Sequence, residues 1–600
     1  MKKKIVIIVS IILFVVLIVL LGPLDVFSHG FYPEEINVEK IDTSERLGEI
    51  SINDDNCTFS FSPKKRHFAG FELYVHNNTD NGTLRVNIYD SKGSQVDKIE
   101  IELHNIKDST WYKVYTNASL KKNEIYSVKF ECVDTESIPS MLLIGNNDLS
   151  NETISGNVLV SYAYEESTFS FSEKVLISLL LLAVLLIILY FIIPTFKHRK
   201  MLKLVIIFLG LQVMMTWNYM YNSFNNNNTK FSGFQSDSEA LVLEPIAAEH
   251  EGVVNSLSGY GLGHYKDGTY SDYKSQYGLQ GKIFRFIARY IGYGSVKGLN
   301  FICAFATAMV LVILILLLKY KYNTLFAGCF YVTFLLSPWI VNFAKNLYWV
   351  EFTWFVPMVV GLIATMKINS IKCRIGCYVF AFISILVKCL CGYEYISCIM
   401  MGLIAFPVID LFNALVSKKR EKIKQELKMI VLLGVIALFA FAVAILVHAS
   451  LRSDESIVKG IKLIFEEDVL RRTNGADLNN YSSVYWPSMN ASIWEVFCKY
   501  FHFSTDVITG INGYLFPILC VIPIVIFIYD YKLRNEKTDY YQCIFMYLFF
   551  FMTAISWYCL AKSHSYIHTH MNYVLWYFGF VQVCFYIIIS RVVNAISKKR

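Results

Sequence analysis

The sequence predicts a mainly α-helical, polytopic membrane bundle of about twelve transmembrane helices, carrying an N-terminal all-β sandwich domain outside the membrane. Three observations predict it. Apolar runs long enough, or nearly so, to cross a hydrocarbon core of ~30 Å recur along the chain. The Lys and Arg clusters collect at alternate ends of these runs, and every long polar stretch falls at the opposite ends. Between the first two runs, apolar and polar residues alternate with the period of strands rather than helices.

Composition narrows the class. The chain is 55% hydrophobic and 16% aromatic with only 17% charged residues, which marks a polytopic membrane protein rather than a soluble enzyme. Much of its net charge of +7 lies in short connections, where it sets orientation and meets anionic lipid. No basic, aromatic-interleaved groove suits a polynucleotide, so membrane lipids are expected partners and nucleic acid is not.

Residues 1–29 read as a transmembrane anchor. The apolar run at 5–21 follows Lys2 to Lys4 and exceeds the ~7–15 residues of a secretory signal, and VFSHG (26–30) is a poor small-residue cleavage site. Residues 30–172 read as the extracytoplasmic sandwich. Strands are expected at 68–77, 82–90, 94–103, 110–116 and 124–133, separated by turn signals such as DSKG and LKKN. Most of the 14 cysteines lie within or beside spans as small apolar packers, while Cys57 and Cys132 are the only pair in this domain and their bridging stays open.

Residues 173–600 form the core. Spans are expected near 174–194, 201–217, 297–318, 323–341, 353–366, 375–390, 396–416, 429–449, 513–529, 543–560 and 573–590. KHRK (197–200), KYKY (319–322), KINSIKCR (367–374), KKREKIK (418–424), YKLRNEK (531–537) and SKKR (597–600) then lie on the cytoplasmic side with both termini. External loops at 218–296 and 450–512 face outward, with shorter ones at 344–354 and 561–572 and a tight GYEY turn at 392–395. Within the first, SDSEALVLEPIAAEHEGVVNSL (236–257) is amphipathic with a break at Pro245, and KIFRFIARYIG (282–292) is a basic amphipathic helix for the interface.

Chemistry belongs where polar residues converge, and few lie inside the spans. Asp410 is near a cytoplasmic end and Lys388 near an external one, which weighs against an ion-coupled carrier. Asp237, Glu239, Lys345, Glu351, Glu394, Arg452, Arg471, Arg472, His564, His568 and His570 instead sit at or above the outer interface. An anionic, lipid-linked substrate suits that distribution. Sugar transfer from a polyprenyl phosphate needs a carboxylate to take the acceptor proton, cations to hold the departing phosphate, and aromatic surface for sugar and lipid.

DSE (237–239) supplies Asp237 and Glu239 as the carboxylates. The competing reading is a helix N-cap with an acidic first turn. Arg452, Arg471 and Arg472 offer bidentate forks for phosphate, or pair with Glu466, Glu467 and Asp468. His564, His568 and His570 fit phosphate contact, a polar loop lining, or a divalent metal with the DSE carboxylates; no cofactor is otherwise implied. Tyr348, Trp349, Trp354, Tyr393 and Tyr395 suit a sugar-stacking surface or an ordinary interfacial belt.

Over about 200–590 the arrangement resembles the GT-C class of membrane glycosyltransferases: about a dozen spans, an extracytoplasmic face, and a large first core loop bearing an acidic D-x-E-like motif, here DSE. SQYGLQG (275–281), SPWIVNFAKNLYWVEFTWF (337–355), KCLCGYEYIS (388–397), EEDVLRRTNG (466–475) and SHSYIHTHMNYVLWYFG (563–579) are also similar to bacterial membrane proteins of surface-polysaccharide type. The resemblance implies an inverting glycosyltransferase moving a sugar from a polyprenyl-phosphate donor to a surface glycan or lipid-linked acceptor. Asp237 and Glu239 are its expected catalytic residues. Its expected substrate contacts are Lys345, Tyr348, Glu394, Arg452, Arg471, Arg472, His564, His568, His570, Gln276 and Gln280. A polysaccharide polymerase or ligase using a diphosphate-linked oligosaccharide is the first alternative, and a lipid-linked glycan transporter the second.

Overall fold

The structure is a computed structural model, and it describes residues 36–165 and 199–597 apart from internal stretches, the longer ones at 39–45, 53–57, 64–67, 117–119, 145–156, 225–230, 255–258, 292–295, 474–480 and 533–537. The expected anchor, the span at 174–194, Cys57 and His570 lie outside the described residues. The chain divides into two compact units, Met1–Lys174 and Val175–Arg600.

The first unit is antiparallel β throughout its described part. Strands β1 (Ile36–Val38), β2 (Arg46–Ser51), β4 (Phe68–His76), β7 (Thr110–Tyr115), β9 (Ser140–Ile144), β10 (Asn157–Val158) and β11 (Val160–Glu165) make one sheet, ordered β1-β11-β4-β9-β10 with β2 on β9 and β7 on β4. Strands β3 (Thr58–Phe61), β5 (Thr83–Asp90), β6 (Gln95–Glu102) and β8 (Tyr126–Val133) make the other, ordered β3-β8-β5-β6. The five strands expected from alternation are present within a residue or two of their expected bounds. In β8 the alternation puts Tyr126, Val128, Phe130 and Cys132 on the buried face. Both sheets feed one apolar core, in which Phe71 of one meets Phe59 and Phe61 of the other at ring distances of 5.6 and 5.0 Å.

The second unit is a helical membrane bundle. Among the described residues, seven helices are long and apolar enough to span: Leu202–Tyr221, Val296–Lys321, Ile371–Cys391, Ile396–Val416, Arg420–Arg452, Gly513–Lys532 and Tyr540–Leu560. The run expected at 323–341 is instead a pair, Thr324–Leu336 and Pro338–Ala344, bent by 68°. Its cause is local: Ser337 is extended, as the residue before a proline prefers, and its hydroxyl caps Ile340 N. The run at 353–366 is a helix of only 15 residues, Phe352–Met366. The run at 573–590 splits into a 3-10 segment, Asn572–Tyr577, and a helix from Phe580, because Gly579 at φ 121° turns the chain between them.

Two features show how the bundle places its charges. Lys321 and Asp410, at the ends expected to be cytoplasmic, pair at 2.6 Å while Thr365 donates to the same carboxylate, so these buried charges are satisfied among themselves. The basic amphipathic segment is the helix Leu279–Ile291; its Arg285 is buried and Arg289 pairs with Glu249 at 2.6 Å, while Ile283 and Phe286 are exposed. The helix thus buries one arginine and pairs the other, exposed one, while presenting apolar residues outward, which suits an apolar surrounding.

Candidate functional site

A cavity of about 310 Å³ is lined by Asp237, Leu241, Tyr273, Tyr348, Trp349, Glu394, Arg471, Arg472, Tyr485, His564, Ile567 and His568. These residues come from turns and short segments between the long helices, gathered from over 300 positions of sequence. Most expected catalytic and phosphate-holding residues therefore meet on one wall.

The DSE segment is helical. Ser236–Ser238, a π turn at Glu239–Leu243 and Glu244–His250 run on continuously, and a π turn is a frequent mark of a functional site. Pro245 does not break it: it occupies the first turn of the last segment, where a missing N–H costs little. Helical geometry turns residues two apart by about 200°. Accordingly Asp237 faces the cavity and Glu239 is exposed to solvent. Asp237 is not an N-cap, since the cap position is Gln235 and no side-chain cap bond is made there.

Ser238 links this segment to the next wall. Its buried hydroxyl accepts from Leu347 N at 3.0 Å and Tyr348 N at 3.4 Å. Asn346 completes the junction, donating to Phe234 O at 2.9 Å and accepting from Tyr348 N and Trp349 N, both at 2.9 Å. Val350 closes this turn at φ 41°, a conformation that β-branched residues rarely hold without support from their surroundings. Burial pushes the Tyr348 phenol far above its ordinary range, so it offers a neutral hydroxyl.

The GYEY turn brings the second carboxylate. Glu394 Oε1 accepts from Gln276 Nε2 at 2.7 Å and from Arg472 at 3.3 Å, and the same Gln276 amide donates to Tyr348 OH at 2.6 Å. Burial works against the charge of Arg472, and Glu394 and Tyr273 more than offset it, holding the guanidinium above its ordinary pKa. Arg471 points differently, over the Tyr485 ring at 5.0 Å and 4.0 Å from Asp468. His564 and His568 are ring neighbours at 4.3 Å, set on consecutive turns of Lys562–Ile567 and its end. Among the described residues, no group of three His, Cys, Asp or Glu is spaced to hold a metal.

The remaining expected contacts stand behind the wall. Lys345, its pKa lowered by burial, donates to Met220 O at 3.1 Å and anchors the helix Arg199–Tyr221. Arg452 donates to Lys274 O at 2.9 Å and pairs with Glu467, and His448 contacts the same carbonyl at 3.0 Å, so the end of Arg420–Arg452 fixes the stretch carrying Tyr273 and Gln276. Gln280 donates to Tyr348 O at 2.9 Å. Trp354 and Tyr395 are fully buried, with Tyr395 stacked on Trp349 at 5.4 Å. They form neither an interfacial belt nor an open sugar platform, but back the cavity's tryptophan. Tyr273 and Tyr485 also line the cavity; in the sequence each is one aromatic residue of a long polar loop.

No family model, curated protein or solved structure matches this chain.

Proposed function

We propose that the chain is an extracytoplasmic glycosyltransferase that moves one sugar from a polyprenyl-phosphate donor to a surface-glycan or lipid-linked acceptor. The observation that carries the reading is one cavity holding Asp237, two arginines, two histidines and the rings of Tyr273, Tyr348 and Trp349. A carboxylate beside fixed cations is what the reaction asks for. The acceptor hydroxyl oxygen bonds to the anomeric carbon as that carbon's bond to the phosphate oxygen breaks. Asp237 takes the hydroxyl proton, and the bonding pair leaves on the phosphate, whose charge Arg471, Arg472 and the histidines receive. Attack opposite the leaving phosphate inverts the anomeric centre. A carboxylate at the cavity wall also favours the positive charge that grows on the sugar ring.

In this reading the chain crosses the membrane twelve times with both termini cytoplasmic, the cavity is extracytoplasmic, and the N-terminal sheets form an extracytoplasmic sandwich. A donor screen with protein in nanodiscs tests it. Turnover of polyprenyl-monophosphate sugars, with release of the polyprenyl phosphate, is expected. Turnover confined to diphosphate-linked oligosaccharides would make the chain a polymerase or ligase, and no turnover of either would remove the reading.

A further inference from the structure

We propose that Glu394 is a positioning residue that acts through Arg472, presetting its guanidinium for the substrate phosphate; this rests on the functional reading above. Arg471 and Arg472 are consecutive on a single helical turn, so their side chains leave the backbone about 100° apart. Two such residues close on one anion only if each is steered separately. The structure supplies a separate guide for each: the Tyr485 ring and Asp468 for Arg471, and Glu394 for Arg472.

Glu394 is itself held from behind. Gln276 Nε2 fixes Oε1 at 2.7 Å and is tied in turn to Tyr348 OH at 2.6 Å. Oε2 rests against the bare Cα of Gly392, where an added Cβ would lie 2.6 Å away. Lys388 Nζ holds that glycine's carbonyl at 2.6 Å, and Tyr395, which follows Glu394, sits at φ 63°, strain that the packed turn sustains. The carboxylate thus spends one oxygen on Gln276 and Arg472 and rests the other against the turn. A guanidinium carries five N–H donors in a planar fork, so Arg472 can keep Glu394 on one edge and give another to a phosphate. An ammonium is a point charge without that fork. Arg472→Lys therefore keeps the charge and loses the bridge.

The test is a double-mutant cycle on binding of geranyl phosphate, a short isoprenyl monophosphate, by nanodisc-embedded protein, read by fluorescence of the cavity tryptophan Trp349. Glu394→Gln alone should weaken binding by about tenfold, and Arg472→Gln by about tenfold to a hundredfold. The double variant should bind no more weakly than Arg472→Gln, because Glu394 has nothing left to position. Arg472→Lys should match Arg472→Gln more nearly than the parent. Gln276→Leu, which removes the rear support, should weaken binding in the parent and not in the Arg472→Gln background, and it serves if Glu394→Gln does not fold. Multiplying losses in the double variant, or unchanged binding by Glu394→Gln, overturns the proposal while leaving the anion site in place. Failure of the parent to bind the probe overturns the functional reading and the proposal together.

Discussion

Gly392→Ala probes the wall without removing any polar group. The glycine has an extended backbone, φ 164° and ψ 155°, which alanine adopts freely, so the change is one of space alone. The new methyl would sit 2.6 Å from Glu394 Oε2 and 2.9 Å from Gln276 Oε1, against the 3.4 Å at which ordinary contact begins. Both atoms end side chains, so they move and the backbone stays. Moving them breaks the 2.7 Å Gln276 bond and the 3.3 Å Arg472 contact at Glu394 Oε1. Each hydrogen bond to a charged group contributes ~1.5–3 kcal/mol, so loss of one aligned Arg472 contact to phosphate corresponds to about tenfold to a hundredfold in donor affinity. Arg472 meets both the bound donor and the charge that grows on the departing phosphate, so kcat/KM should fall by at least that factor. Steady-state kinetics in nanodiscs, with thermal melting as the control, decide it. A parental kcat/KM would refute the idea that this carboxylate network organises the site.

Three further outcomes follow from the same geometry. Glu351 is fully buried, and burial raises its carboxyl well above the ordinary 4.5, so the folded state holds a proton that the unfolded chain releases. Stability is then full below about pH 4.5 and declines as pH rises toward the folded pKa, by up to ~1.4 kcal/mol per unit. Glu351→Gln should raise the melting temperature at pH 8 and leave it nearly unchanged at pH 4.5; equal shifts at both would contradict the assignment. Single cysteines at the exposed Lys266 and Asp454 should react with an impermeant maleimide in intact cells, and one at the exposed Lys424 should not; the reverse pattern would invert the topology. Arg471→Gln should reduce donor turnover by about tenfold or more with unchanged melting, since its contacts to Tyr485 and Asp468 stay within residues 468–485 and the Asp468–Arg452 pair remains in place.

The fold was legible where a single period governs a stretch. Strands β4 to β8 and most long helices fall close to their expected bounds because alternation and apolar length are local properties. The misses involve residues acting on the backbone: Pro338 bends one expected span, Gly579 divides another, and Pro245 fits a first turn where sequence alone suggested a break. At the site, a helix turns two-residue neighbours apart, so only one of Asp237 and Glu239 can face a substrate directly; it is Asp237 that lines the cavity. The outward charge count could not tell Arg472, in the cavity, from Arg452, which holds the Lys274 carbonyl behind it. Nor could it find Tyr273 and Tyr485, whose relevance exists only after distant loops have come together.

The most direct test of the central claim is single-turnover transfer by Asp237→Asn protein beside the parent, with a polyprenyl-monophosphate sugar bound to both. Asparagine keeps the size of the side chain and removes the proton acceptor at the cavity wall. The account predicts parental donor binding and melting, with transfer slowed by roughly 10²–10⁴-fold. Transfer at the parental rate, or a loss explained wholly by lowered stability, would contradict it.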